Sequence, residues 1–599
     1  MAGAFRHPGG EPIDGRMKFL RARRVTGWPA TERQPQIRAQ RLAGLFGTLP
    51  RLLDQLGGVV VEFYEGLAHR MKYTIPSQPG GRVLPSLTRI GVDRQKRGFD
   101  FAPADRMNGE FERIGQVERQ MAAPHPMLEP FVPTTDDPFD RVKAAHLLNR
   151  AGFGGTADEI DEVLELGPAR AIEKLIDFPD ANADEHSRTD VPNLSAIEGY
   201  PRTFAERRGV FVGETPEERV MINNRLMAAN REAMQATVHW WMTRMADGPY
   251  PLQEKLTLFW HGHFTTSARD ERSAWLMWQQ NETLRRNAAG NFRTFVREIS
   301  RDPAMLDYLN NQQNRKQRPN ENYARELMEL FTLGIGNYTE NDIKEAARAF
   351  TGWAHDGDDF IFRRQDHDTG EKIFFGRRGN WGGDDIIALI LQHHAAGPYI
   401  ASKLINFFVT DYPDPSIAGA LGKHFRDVGY NLRPVLRMLF TSKLFYSDRV
   451  IGAQIKSPIQ LVVGTVRNLN VQMPEPRALS LSMQQMGQVP FDPPNVRGWP
   501  GGRLWINTST LFMRYNTAMN LAGGAPVGRL RRGAAFRPEV VRGAPRQVAE
   551  AWVERLIQRP VSADRITVLA EALGDAPVRE ENVRKMVQLI VSMPEYQLC

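Results

Sequence analysis

Residues 320–353, NENYARELMELFTLGIGNYTENDIKEAARAFTGW, constrain the fold of this chain more than any other stretch. Apolar positions recur there at helical spacing, Gly334 and Gly336 interrupt them, and Thr339 followed three residues later by Asp342 marks a second helix start. The stretch predicts two helices joined by a glycine turn, a unit that must bury its apolar faces against other helices. Its charges are spaced to match. Glu321 and Arg325 stand four apart and Glu326 and Glu329 three apart, each pair on one helical face. These carboxylates can pair with Arg325, Lys344 and Arg348 as an internal lattice, or Glu326 and Glu329 can hold a cation or move a proton.

Helical periodicity continues on both sides. Residues 141–151 predict a helix stopped by Gly152, Gly154 and Gly155, residues 156–166 a second, and a third follows Gly167-Pro168. Thr215, Pro216 and Glu218 form a helix start with a capping box, and that helix runs to about Ala246. Further helices are expected from Pro251, over residues 270–289 as one piece, and over 292–299 and 303–309. After Trp353 the short β-prone runs 360–362 and 373–375 predict a small hairpin whose tip is His367-Asp368-Thr369-Gly370-Glu371-Lys372. Residues 491–516, rich in Pro, Gly and Trp, predict a long ordered loop before a last apolar helix. The fold class is mainly α: a multi-helix globular body with a small β-hairpin and long ordered loops.

At 599 residues with 41% hydrophobic and 25% charged side chains, the chain can bury a large core. Residues 1–133 form a basic extension. Nine Lys or Arg face one acidic residue, Glu32, between Arg16 and Arg51, and an amphipathic helix is expected over residues 37–71, suited to a membrane surface, a partner helix or its own domain. Charge without a reading element does not make a nucleic-acid binder. Residues 134–522 form the helical core, 523–546 a basic mobile loop with six arginines, and 547–599 a C-terminal helical part of the same domain.

The one cysteine, Cys599, rules out an internal disulfide, a multi-cysteine zinc site and a thiol nucleophile within the body of the fold. No secretory signal and no apolar run of ~18 residues stand in the sequence, so a cytoplasmic location is expected. Phosphate-binding loops, dinucleotide fingerprints, G-x-S-x-G and H-E-x-x-H are absent, which argues against nucleotide-driven chemistry.

Three further segments carry groups suited to chemistry. His261 and His263 flank Gly262; two residues apart on a helix they point ~160° away from each other, so they share a divalent metal only where Gly262 breaks the helix. With a carboxylate they would suit zinc, iron or manganese, and otherwise they hydrogen-bond neighbouring helix ends. His367, Asp368 and Lys372 are dense enough to reach a neighbouring cleft, or serve the turn itself. In the tryptophan loop, Asn495, Arg497, Trp499, Trp505, Asn507 and Arg514 suit a binding wall, with Arg325 a further binding candidate.

FWHGHFTTS, the stretch 320–353, HDTGEK, KSPIQLVVG and GQVPFDPPNVRGWPGGRLWINTSTLFMRYN together resemble the bacterial family catalogued as domain of unknown function 1800, over roughly residues 141–598. The resemblance implies a partner, because members are often encoded beside the family of domain of unknown function 1501, which is similar to sulfatases and alkaline phosphatases. It transfers no catalytic residue. Two functions fit: an accessory or binding protein acting with a phosphatase- or sulfatase-like partner, or a metal-dependent or acid–base hydrolase. The hydrolase requires His261, His263, Glu326, Glu329, His367 and Asp368 to converge, and the test is whether His263, His367 and a carboxylate come within mutual reach in one cleft.

Overall fold

A computed structural model describes residues 125–179, 192–201, 203–211, 214–523, 536, 538, 543–575 and 577–599. By its internal contacts the chain divides into residues 1–99 and 100–599, and the described residues belong to the second unit. The amphipathic helix expected over 37–71, and nearly all of the N-terminal extension and the basic loop, lie outside the described residues.

The unit is mainly helical, as its periodicity predicts. Helix starts follow their capping residues. Thr215 accepts the backbone N–H of Glu218 at 3.3 Å while Glu218 accepts that of Thr215 at 2.9 Å, opening the helix Pro216–Asp247. Thr156 and Glu159 make the same exchange before Ala157–Ile176, which breaks at Gly167 (φ 71°) where the sequence places a boundary.

Among the described residues two large apolar cores result, with a small third cluster of Leu194, Ile197, Ala229, Ala233 and Ala274. One gathers side chains from Leu128 to Val450, including Trp260, Phe331 and Leu436; the other takes Phe153, Trp241 and residues from Ile459 to Tyr596. The helix Pro251–His263 lies between them, giving Leu256 and Trp260 to the first and Leu258 to the second, so it is buried on every face. Its polar side chains therefore need partners inside the protein. Glu254 accepts hydrogen bonds from Trp241 (2.9 Å), Arg244 (2.7 Å) and Arg285 (2.7 and 2.9 Å).

The stretch 320–353 differs from two plain α-helices. The helix Asn322–Glu326 passes directly into a π-helix, Leu327–Thr332. Leu333 donates its N–H to Met328 O, five residues back, at 3.0 Å, and the Thr332 hydroxyl donates to Leu327 O. Gly334 ends it with φ 81°, where a Cβ would lie 2.9 Å from the Tyr399 ring, so this turn has no room for a side chain. Thr339 and Asp342 then cap the helix Glu340–Ala349 reciprocally.

The β structure is rearranged relative to the expected hairpin. Strand β1 (Trp353–His355) pairs antiparallel with β2 (Phe360–Phe362), with Trp353 opposite Phe362 and His355 opposite Phe360. Strand β3 (Lys372–Phe374) pairs with β4 (Arg377–Gly379) across Phe375 and Gly376, both at positive φ, the geometry of a tight two-residue turn. The two runs expected to pair with each other belong to different ladders, and His367–Lys372 connects them rather than capping a hairpin. Strand β1 escapes the β-prone pattern because its three residues follow a helix end after one turn at Gly352 (φ 80°).

The tryptophan loop is ordered, as expected: a 3₁₀ turn at Gly502–Trp505 leads into the helix Thr508–Gly523. Among the described residues no helix is long and apolar enough to cross a membrane.

Candidate functional site

The structure brings together only part of the residues singled out in the sequence. Glu326 and Glu329 lie side by side, Glu326 at the last turn of α-helix and Glu329 in the π segment. One Glu329 oxygen accepts from the Tyr338 hydroxyl at 3.0 Å, and the other meets Arg497 from the tryptophan loop at 3.3 Å. Oε2 of Glu326 is buried with no hydrogen-bond partner, and burial followed by the charge of Glu329 raises its pKa. Arg325 turns away from them to a two-pronged pair with Glu340 (2.8 and 2.9 Å) and to Glu321 (3.2 Å).

The expected convergence of histidines on these carboxylates does not occur. Gly262 does not break the helix, which runs through to His263, so His261 and His263 face different surroundings. His261 Nε2 accepts the N–H of Phe491 at 3.0 Å among Trp241, Phe491 and Trp499; His263 Nε2 lies 3.0 Å from Phe331 O among Phe259, Trp260 and Phe264. Burial pushes both imidazoles down to about 3, for His263 with help from the charge of Lys403, so both are neutral core groups. His367 Nδ1 lies 2.8 Å from Thr351 O, and Asp368 pairs with Arg348 at 2.7 Å. Lys372 donates to Asp368 O (2.7 Å) and Gly370 O (3.0 Å), tying the connection to itself. The shared metal of His261 and His263 and the set of His263 with His367 are thus corrected. Among the described residues no group of three or more His, Cys, Asp or Glu is placed to hold a metal ion.

The remaining loop candidates divide. Asn495 accepts the N–H of Arg497 at 2.9 Å and turns that arginine toward Glu329, so these two belong with the carboxylate pair. Trp499 packs on His261, Trp505 is buried, and Asn507 exchanges hydrogen bonds with Thr510 (both 2.9 Å) to open the last helix. Arg514 is fully buried, donating to Gln597 at 2.9 Å and to Lys456 O at 2.8 Å. These four hold the loop and its helix in place.

A second polar site was not visible in the sequence. A cleft of about 740 Å³ opens between the helices Phe204–Gly209, Pro216–Asp247, Ala268–Glu271 and Pro303–Tyr308 and the turn that follows β1. Into it come Glu271, Asp307 and His355. His355 is 6% exposed, and its Nε2 lies 3.0 Å from Oδ1 of Asp307, whose carboxyl is open to the cleft. Oε2 of Glu271 is buried with no hydrogen-bond partner among the described residues, and burial, then the charges of Asp307 and Asp302, raise the carboxyl to about 9. Behind them Asp302, held by Gln280 (2.9 Å) and the N–H of Met305 (3.1 Å), is pushed up to about 7, chiefly by burial.

Local sequence explains both the placement and its concealment. The expected single helix over 270–289 is two: Ala268–Glu271 ends at Arg272, which is left-handed (φ 56°), and Ser273 caps a new helix, Ala274–Arg286. That break turns Glu271 inward. Asp302 reads as an ordinary N-cap before Pro303, and the helix it opens carries Asp307. The tryptophan loop supports the site from behind: Phe491 O accepts the N–H of Ala268 at 2.8 Å, and Asp492 pairs with Arg269 at 2.6 Å. Ser273 before an apolar run was the one signal of the break in the sequence.

No curated protein and no solved structure matches the chain. A sequence profile described as "Protein of unknown function (DUF1800)" does match, over residues 146–598, which hold both carboxylate sites and most of the chain, and the protein belongs to that family.

Proposed function

We propose that the protein is an acid–base enzyme, a hydrolase whose proton donor is Glu271 and whose proton acceptor is Asp307. One observation carries this reading: a carboxyl with one buried oxygen that has no hydrogen-bond partner among the described residues, and a second carboxylate beside a buried histidine, line the same cleft. Pairs of titratable groups driven apart by their surroundings are the usual basis for dividing acid from base. Asp307, with His355 Nε2 at 3.0 Å, takes a proton from water as the oxygen attacks the substrate. Glu271 gives its proton to the departing group, and solvent exchange returns both to their starting state. Hydrolysis of a panel of chromogenic esters, amides and glycosides tests it. A substrate whose turnover survives both Glu271→Gln and Asp307→Asn at the native rate would remove the proposal.

A second reading, an accessory protein for a phosphatase- or sulfatase-like partner, is favoured by the outer side of the tryptophan loop. There Leu504 is 71% exposed, and Tyr412, whose neighbour Asp411 lies against Gly502, is 73% exposed. Solvent-facing apolar side chains grouped beside a rigid loop suit a protein contact. Co-purification with the adjacent gene product tests this reading, and Leu504→Ser is expected to weaken any complex recovered; an unaffected complex counts against it.

A further inference from the structure

Besides its acid–base residues, the cleft carries arginines on its walls. Arg207, Arg231, Arg269 and Arg272 all line it. Arg269 is engaged by Asp492 at 2.6 Å. The guanidinium groups of Arg207, Arg231 and Arg272 have no carboxylate within 4.0 Å among the described residues, although Asp307 and Asp358 line the same space. They come from three separate elements: the helix Phe204–Gly209, the long helix Pro216–Asp247 and the break after Glu271.

The backbone at the third is informative. Helices that end in a left-handed residue generally place glycine or asparagine there, because a Cβ is unfavourable. Here the position is held by Arg272 at φ 56°. That conformation sets its side chain on the cleft wall directly beside Glu271. Glycine would make the same turn with less strain but would bring no charge.

We infer that the substrate of this cleft carries an anionic group, a phosphate, sulfate or carboxylate, held by Arg207, Arg231 and Arg272 beside the bond that Glu271 and Asp307 act on. This assignment rests on the acid–base reading for its second half and on the cleft for its first. Forked guanidinium groups match the oxygens of such anions, and three of them on the walls of one cleft can hold one charge better than a solvated surface does. An anion bound there also offsets the charge of Arg207, which disfavours the protonated form of Glu271, so ligand binding and proton retention support each other.

Calorimetric titration of the full chain with inorganic phosphate, sulfate and succinate, with glycerol as a neutral control, tests the inference. Saturable binding of at least one anion is expected, weakened ~10-fold or more by Arg231→Gln or Arg272→Gln, less by Arg207→Gln, and unchanged by Arg378→Gln, whose side chain already pairs with Glu371. All three cleft arginines are exposed, so the variants keep the fold. Glu271→Gln should bind the anion as the native protein does while losing turnover. No saturable binding up to ~10 mM, or native affinity in all three cleft variants, overturns the inference. In that event a pH-dependent turnover of neutral substrates that still requires Asp307 leaves the acid–base reading standing. Anion binding with Asp307→Asn fully active does the reverse.

Discussion

Two carboxylate pairs in this protein, Glu326 with Glu329 and Glu271 with Asp307, sit beside helix irregularities, yet they differ in how their oxygens are used. Glu329 is matched on both oxygens by Tyr338 and Arg497. Glu271 leaves a buried oxygen with no hydrogen-bond partner among the described residues, and Asp307 presents its carboxyl to a cleft with His355 behind it. The first pair has an orphan too, Oε2 of Glu326, but its other member is matched on both sides. The second is completed only by something that enters, and unused polar capacity inside a cavity is the more informative sign of function.

The sharpest way to break the contrast is kinetic. Glu271→Gln and Asp307→Asn should each lower turnover by ~10²–10⁴, the range of a general acid or base, whereas Glu329→Gln should change it less than ~10-fold. Equal losses in both pairs would erase the distinction.

Next in size is the acid response of the two core histidines. His261 and His263 ionise near pH 3 in the folded chain against 6.5 otherwise, so the unfolded chain takes up protons first. Native stability is therefore fully present above pH 6.5 and falls as the pH drops toward 3, by about 1 kcal/mol per pH unit for each histidine. Urea unfolding at pH 7.5 and pH 5 should show a shallower loss in His261→Gln than in the native chain. An unchanged slope would indicate that the acid sensitivity lies elsewhere.

Gly334→Ala should cost about 2–4 kcal/mol in the same assay, because it combines a left-handed residue with a contact against Tyr399. A cost under ~0.5 kcal/mol would show that the π turn can rearrange at little expense.

Glu271 has the opposite sign to the histidines. Its folded carboxyl ionises near 9 against 4.5, so its stability is fully present below pH 4.5 and lost as the pH rises toward 9. Glu271→Gln removes that loss and should gain about 1–2 kcal/mol at pH 8 and nothing at pH 4, allowing for partial exposure. A variant less stable than native at pH 8 would mean that the carboxyl is ionised in the fold. Smallest of all, Arg497→Ala should shift stability by under ~1 kcal/mol, since that arginine is 67% exposed.

The contrast also separates what was legible from what was not. Helix starts at Thr215 and Thr339 were readable because a cap and its partner lie within four residues of each other. Glu326 and Glu329 were readable as neighbours for the same reason. The link from Glu329 to Arg497, 168 residues away, had no trace in local spacing, although both residues drew attention separately. The cleft was hidden for a related reason: Glu271, Asp307 and His355 come from three distant segments, and Asp302 and Ser273 occupy ordinary cap positions. His261 and His263 drew attention by chemical type, but a helix buried on all sides makes a histidine a hydrogen-bonding core residue.

A π turn holds one residue more than the α turn it replaces, so Leu327–Thr332 can be regarded as an insertion that the chain has kept. Removing Leu327 or Met328 would let the hydrogen bonds fall back to the four-residue pattern while Gly334 stayed against Tyr399. Everything before the deletion would then rotate by ~100°, carrying Glu326 off the face it shares with Glu329 and moving Arg325 away from Glu340. A single codon thus sets the relative heading of two helix faces, and length variation at this point is a means of retuning the pair without changing any side chain.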